Sequence, residues 1–300
     1  MIQKLEQSQY ERVRSLFQGL DYQLMTAAVI DGTSPGRIWV DDLNRPTTAL
    51  LASAEGYCLA GYEDNVAFNR AINELFRGIM ARGGLTRTDG EALTLVCDKD
   101  TWEGKLDVVL RGRPPIKELR RHYLFDRQQV DWRSNLLEGF EIERIGGALL
   151  NQPGLNIPDH LIGWISANWG STGNFLQTGF GFCTVHNGQL VCWCLADCVS
   201  GNACEIGIRT HPDYRRRGLA TLTVAATVDH CLARGLAAIG WHCHEDNRGS
   251  QAVAEGVGFK MERTYVDYLC FYDQARHVAA LEYYNAKNEA LRIRKDNDRR

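Results

Sequence analysis

The sequence predicts a mixed α/β fold of the α+β class, laid out as two halves of which the second is the fuller version of the first. Three observations predict it. Short apolar and β-branched runs alternate with segments of helical period along all 300 residues. The order strands, long helix, strand, short helix, strand occurs before residue 130 and again, with a hairpin added, after it. That hairpin is marked by Asn187-Gly188 between "GFCTV" and "QLVCWCLA", and Asn-Gly suits the left-handed turn that matches strand twist.

The first half opens with helical spacing at Val13, Leu16, Phe17 and Leu20. Strand-like "GRIWVDD", "TTALLAS" and "GYCLAGY" follow, separated by turn-forming Pro, Asn, Glu and Gly. Phe68, Ile72, Leu75, Phe76, Ile79 and Met80 then recur on one helical stripe behind Asp64 or Asn65 as N-cap. "ALTLVC" reads as a buried strand, Trp102, Leu106, Val109 and Leu110 as a short helix, and "HYLF" as a strand. Polar "RQQVDWRSN" reads as the linker, which places the halves at 1–130 and 131–275, with a C-terminal helix and polar tail at 276–300. The second half runs from strand "GFEIERI" through helical "IPDHLIGWISANW" and the hairpin to strand "CEIGIRT". Beyond "HPDYRRRGLAT" comes a helix with Val224, Val228, Cys231 and Leu232 on one stripe, stopped at Gly235 as a C′ glycine stops it. Strand "AAIGWHC", a short helix after "HEDNRGS", and strand "TYVDYLCFY" close the order.

Composition narrows the function classes. The chain is 44% hydrophobic and 24% charged with a formal net charge of −3, which gives no basic footprint for nucleic acid. No apolar run is long enough for a membrane span and the start carries no apolar signal region, so a cytoplasmic protein with a small-molecule partner is expected and its oligomeric state is left open. Several of the ten cysteines lie in apolar runs such as "LVCWCLA" and "VDHCLARG", where a reduced thiol acts as a small core residue. Cys192, Cys194, Cys198 and Cys204, with His242, Cys243 and His244, are the metal-ligand candidates. They lack the paired spacing of zinc sites, and no metal is expected.

Arg215, Arg216 and Arg217 concentrate positive charge just before Gly218 and an alanine-rich helix. A helix N-terminus leaves free backbone N–H groups and partial positive charge, so this loop suits a pyrophosphate; the bland alternative is an exposed basic turn. The context favours the former. "EIGIRTHPDYRRRGLAT", a long helix, a strand, then "NRGSQAVAEGVGF" resembles the GNAT acetyltransferase superfamily over about residues 139–273, with Arg215, Gly218 and Ala220 at the signature positions of its R/Q-x-x-G-x-G/A loop. The two-half layout with "GRIWVDD" and "GFGF" resembles, more narrowly, the subgroup that includes the zwittermicin A resistance acetyltransferase.

The resemblance implies a GNAT acyl-CoA N-acyltransferase fold in the second half and a degenerate GNAT-like first half. That first half lacks the arginine-glycine loop and is assigned no cofactor. It implies acetyl-CoA as cosubstrate, with backbone groups of Ile208 and Thr210 on the pantetheine and Arg215, Arg216, Arg217, Gly218, Leu219, Ala220 and Thr221 around the phosphates. Asn247 matches the motif asparagine and Ser250 lies one turn on; both also suit a helix cap. Glu205, on the strand entering the loop, is the expected base for the amine's proton. The tyrosine many members carry as acid is replaced by Ala254, and Tyr265, Tyr268 and Tyr272 of the last strand read more simply as packing. Trp193, Gln177 and Phe180 lie on elements that could line the acceptor site. The expected activity is acetyl transfer to an amine of a small molecule, of which an amino-bearing antibiotic is one candidate. The alternatives are a protein amine as acceptor and a non-catalytic acyl-CoA-binding regulatory module.

Overall fold

Strand pairing ties both halves into one sheet. The computed structural model describes residues 2–84 and 91–297, with side chains to 286; residues 298–300 of the expected tail lie outside the described residues. In chain order the first half holds β1 (Gln3–Lys4), a 3-10 helix (Gln7–Leu20), α1 (Leu24–Asp31), β2 (Arg37–Val40), β3 (Thr48–Ser53), β4 (Gly56–Gly61), α2 (Val66–Arg82), β5 (Ala92–Cys97), a 3-10 turn (Asp100–Lys105), α3 (Leu106–Val109) and β6 (Ile116–Phe125). The second holds β7 (Glu141–Arg144), α4 (Gly147–Leu150), α5 (Asp159–Trp169), α6 (Thr172–Thr178), β8 (Gly181–His186), β9 (Gln189–Ser200), β10 (Ala203–Thr210), α7 (Leu219–Ala233), β11 (Ala238–His244), α8 (Arg248–Val257), β12 (Phe259–Phe271) and α9 (Gln274–Asn297).

Local sequence explains most of these elements. Phe68, Ile72, Phe76 and Ile79 of α2 are buried against the sheet, and Asn65 Oδ1 accepts from Phe68 N–H at 3.1 Å as the cap. Asn187 and Gly188 take φ of 49° and 71° between β8 and β9, the backbone the two-residue hairpin requires. Helix α7 is buried on most sides, from Leu219 and Leu222 to Val228 and Cys231, which fits a run almost without charge.

The sheet order is β1-β2-β3-β4-β5-β12-β6-β11-β10-β9-β8-β7 among the described residues. Read inward from its two ends, β3-β4-β5 repeats as β9-β10-β11, with α2 and α7 making the parallel crossovers. The closing strand of each half has changed sides: β12 pairs with β5, β6 pairs with β11, and the two meet antiparallel from Ile116↔Leu269 to Phe125↔Phe259. The expected strand "HYLF" is therefore the end of a longer one, β6, and β12 starts at Phe259, five residues before the expected Thr264. No described helix is long and apolar enough to cross a membrane.

Two local features position the site. Strands β10 and β11 pair only over Ala203–Glu205 and Ala238–Gly240, then part. At that parting point the β9–β10 register shifts between Glu205 and Ile206, which leaves Asp197 as the extra residue on β9.

Candidate active site

A cleft of about 1180 Å³ lies between α5, the outer half of β10, the N-terminus of α7 and the start of α8. Ile208, Thr210, Arg215, Arg216, Gly218, Leu219, Ala220, Thr221, Asn247 and Ser250 all line it. Arg217 does not: its Nη2 donates to the Asp213 carbonyl at 3.1 Å and its guanidinium lies over the Tyr214 ring. Of the three arginines, two face the cleft and the third braces the loop.

The loop has the form an anion needs. Gly218 sits at φ 79° as the N-cap of α7 and supplies no side-chain cap to that helix, so first-turn N–H groups are open to the cleft. A Cβ at Gly218 would meet nothing within 4 Å; the space in front of it is room for a ligand. Arg216 shares the left-handed conformation at φ 60°. In the first half the corresponding turn before α2 is Glu63-Asp64-Asn65, capped by the Asn65 side chain. Across the cleft Asn247 caps α8, its Oδ1 accepting from Ser250 N–H at 3.0 Å, and Ser250 Oγ accepts from Trp241 Nε1–H at 3.0 Å. Both residues are thus cap and cleft wall at once.

Glu205 stands elsewhere. It is 5% exposed, beneath the parting strands, and does not line the cleft. Its Oε1 accepts from Leu24 N–H at 2.7 Å, at the start of α1, and lies 3.1 Å from His242 Nε2. His242 Nδ1 in turn lies 3.0 Å from the Tyr265 hydroxyl. One assignment satisfies all three groups: Tyr265 donates to Nδ1, and Nε2–H donates to Glu205. Burial would raise the Glu205 pKa, but His242 and the Leu24 N–H outweigh it and hold the carboxyl below its usual range. A buried, partnered carboxylate with a lowered pKa is a weaker proton acceptor than a free one, and Glu205 does not itself line the cleft.

His122 completes this cluster. Its ring stacks on His242 at 4.5 Å between centroids and 22° between planes, and its Nδ1 meets Glu262 Oε2 at 2.8 Å. Gly240 leaves the room, since a Cβ there would lie 3.0 Å from Glu205 Cγ and 3.3 Å from His122 Nε2. Ligating atoms of His122, Glu205 and His242 lie within 4.8 Å of one another. The hydrogen bonds of His122 to Glu262 and of His242 to Glu205 and Tyr265 join these residues in one buried network.

The structure also brings in residues that sequence reasoning did not single out. Trp164 and Asn168, one turn apart on α5, line the cleft and donate to Asp197 Oδ1 at 2.7 and 3.0 Å. Burial and the nearby Glu55 push the Asp197 carboxyl well up. Glu55, at the tip of the β3–β4 hairpin, reaches the cleft from the first half. By contrast Trp193 and Phe180 are core residues of the second half, and Gln177 is exposed at the end of α6; none of them lines the cleft. The ten cysteines are free thiols.

A sheet whose two parallel strands part beside a glycine-headed, arginine-flanked helix is the layout of an N-acetyltransferase of the GNAT fold. The GNAT acetyltransferase family model matches residues 14–268, and the chain belongs to that family. It is 25% identical over 275 residues to an uncharacterised N-acetyltransferase of Bacillus subtilis, YdfB, covering 89% of this chain and 98% of that one. Among solved structures, a GCN5-related N-acetyltransferase-like protein from Streptococcus suis has the same fold with a TM-score of 0.64 at 23% identity, over 88% of this chain and 98% of the other. A tandem GNAT protein from the clavulanic acid biosynthesis pathway superposes with a TM-score of 0.56 at 12% identity, over 91% and 99%. That match spans both halves.

Proposed function

We infer that this acetyltransferase uses acetyl-CoA and acts on an amine of a small molecule. The observation that carries the reading is the continuity of the site. The cleft begins at the open N-terminus of α7 and ends at Glu55, where it meets a second, smaller cavity of about 470 Å³. That volume is of small-ligand size, which favours a small acceptor over a protein side chain presented on a surface.

The residues fit the cosubstrate. Arg215 and Arg216 with the N–H groups at the start of α7 would hold the pyrophosphate, and the unpaired edge of β10 at Ile208 and Thr210 would hold the pantetheine. Acetyl-CoA, when bound, supplies an activated acyl group and a thiolate leaving group. The chain's own contribution is to bind, to orient and to move protons. We assign Glu205 a positioning role: it fixes the His242 tautomer and ties the start of α1 to the sheet beneath the strand parting.

The test is CoA release by the full chain from acetyl-CoA across a panel of small amines and lysine-containing peptides. The reading expects turnover with small amines and weak or no turnover with peptides. Saturable acetyl-CoA binding with no CoA release from any amine would leave a binding module, and a preference for peptides would overturn the small-molecule acceptor.

A further inference from the structure

The second cavity has a charge pattern of its own. Its walls come from the β3–β4 hairpin, the start of β2, α5 and Arg120 of β6, and it shares Ala54, Glu55 and Ala167 with the cleft. Its charged lining residues are three: Glu55 at the shared mouth, Arg120 and Arg37. Both guanidiniums have donors to spare. Arg120 reaches Asp267 only at 3.5 Å, and its Nε is buried without a hydrogen-bond partner. Among the described residues no hydrogen bond or ion pair is found for Arg37 or for the Glu55 carboxylate. Glu55 and Arg120 both line the cavity and form no ion pair with each other.

A pocket with one unpaired carboxylate at its open end, the Arg120 guanidinium inside and the Arg37 guanidinium at its exposed rim is matched by a ligand carrying both charges. An ammonium facing Glu55 lies at the end that opens onto the cosubstrate cleft. An oxyanion suits a planar guanidinium, which offers it paired N–H donors. A second cation in its place would meet like charge. We propose that this cavity is the acceptor site and that the acceptor is a small amine that also carries an oxyanion, with its ammonium on Glu55 and its oxyanion on Arg120 and Arg37. The assignment rests on the acetyl-transfer reading above.

Glu55 also suits the proton step. It is exposed at the mouth that the cavity shares with the cleft. One proton passes from the ammonium nitrogen to a Glu55 carboxylate oxygen, which leaves a neutral amine and a carboxylic acid. Glu55 is thus the group on the cavity wall able to take the proton that Glu205 is placed too deep to accept.

The experiment uses the full chain and a matched panel: free amino acids, their α-amides, O-phosphoethanolamine, linear diamines and an aminopolyol. Binding is read by saturation-transfer NMR without acetyl-CoA, and turnover by CoA release with it. Binding and turnover should centre on amines that bear an oxyanion. Losing charge-assisted hydrogen bonds of about 1.5–3 kcal/mol corresponds to about 10- to 100-fold in kcat/KM between an amino acid and its amide. Carboxylate and phosphate arms show which oxyanion is preferred. Arg120→Met should erase the preference, and Arg37→Met, at the exposed rim, provides the same reading if the first variant does not fold. Glu55→Gln should lower kcat with partial recovery as pH rises. Equal or better use of amides, diamines or the aminopolyol would overturn the proposal, as would failure of every oxyanion-bearing amine to bind. Should acetyl-CoA itself fail to bind, the acetyl-transfer reading falls, while the NMR arm still decides the charge pattern of the ligand.

Discussion

Replacing Gly218 with glutamate separates what the arginine-glycine loop does for a ligand from what it does for the fold. Gly218 has φ 79°, and a side chain there would meet nothing within 4 Å, so no clash is expected. A non-glycine residue in this conformation costs about 1–2 kcal/mol, and an acid at a helix N-terminus returns about 0.3–1 kcal/mol. Stability should therefore fall by about 1 kcal/mol, a shift in Tm of about 2–4 °C. Binding should suffer far more. A carboxylate about 4 Å from a phosphate oxygen costs about 1 kcal/mol in bulk water and about 4 kcal/mol at an effective dielectric of 20. The cleft wall lies between these limits, so CoA should bind between about 5-fold and about 1000-fold more weakly. Gly218→Ala carries the same backbone cost without the charge and is the control. Isothermal titration of CoA at two salt concentrations, with thermal melts alongside, reads all of these, and added salt should narrow the gap between Glu and Ala variants. A folded Gly218→Glu protein with wild-type CoA affinity would refute the loop assignment, and so would an Ala variant as weak as the Glu variant.

Two further outcomes follow from buried groups. Burial, reinforced by His242, holds the His122 pKa below its usual value; the unfolded chain then takes up this proton near pH 6.5 while the folded chain resists, so stability is lost as pH falls through that value. The difference in unfolding free energy between wild type and His122→Asn should accordingly shrink from pH 7.5 to pH 5.5 in urea titrations; a constant difference would show that the ring's protonation is not coupled to folding, and a growing one that folding raises its pKa. Nine of the ten cysteines are buried, Cys97 being half-buried, and burial pushes the Cys270 thiol up to about 12. Ellman's reagent should find almost no fast-reacting thiol in native protein and all ten after denaturation; a mass deficit of two protons would instead reveal a disulfide, for which Cys204 and Cys231, with Sγ atoms 3.6 Å apart, are candidates.

Much of the framework was legible because it is written in local chemistry. Asn187-Gly188 announced a hairpin, "ALTLVC" a strand, and the stripe from Phe68 to Ile79 a helix capped by Asn65, and each is present. Most of the cleft wall could be read from one short loop and the strand before it, since backbone amides at a helix start depend little on distant contacts. The middle of the sheet was harder. Residues 116–121 of β6 read "IKELRR", and charge reads as surface, yet Glu118 and the adjacent His122 are buried. Their partners, His244 for Glu118 and Glu262 for His122, come from strands more than a hundred residues away. Glu55 was invisible for the same reason: in "SAEG" it is an ordinary turn residue, and only the packing of one half on the other gives it neighbours of consequence.

The exchange of β6 and β12 has a consequence for the order in which the protein can be made. Strand β5 acquires its second neighbour only when Tyr268–Phe271 have left the ribosome, and β6 waits with both edges bare for β11 and β12. The first half thus emerges with an open sheet edge and with charged residues of β6 that have not met their partners. Long-range pairing of this kind slows folding and exposes edges to the wrong neighbour. A gene split at the linker would yield two pieces each deprived of a strand that the other holds, so the two halves, however alike in plan, are no longer separable units.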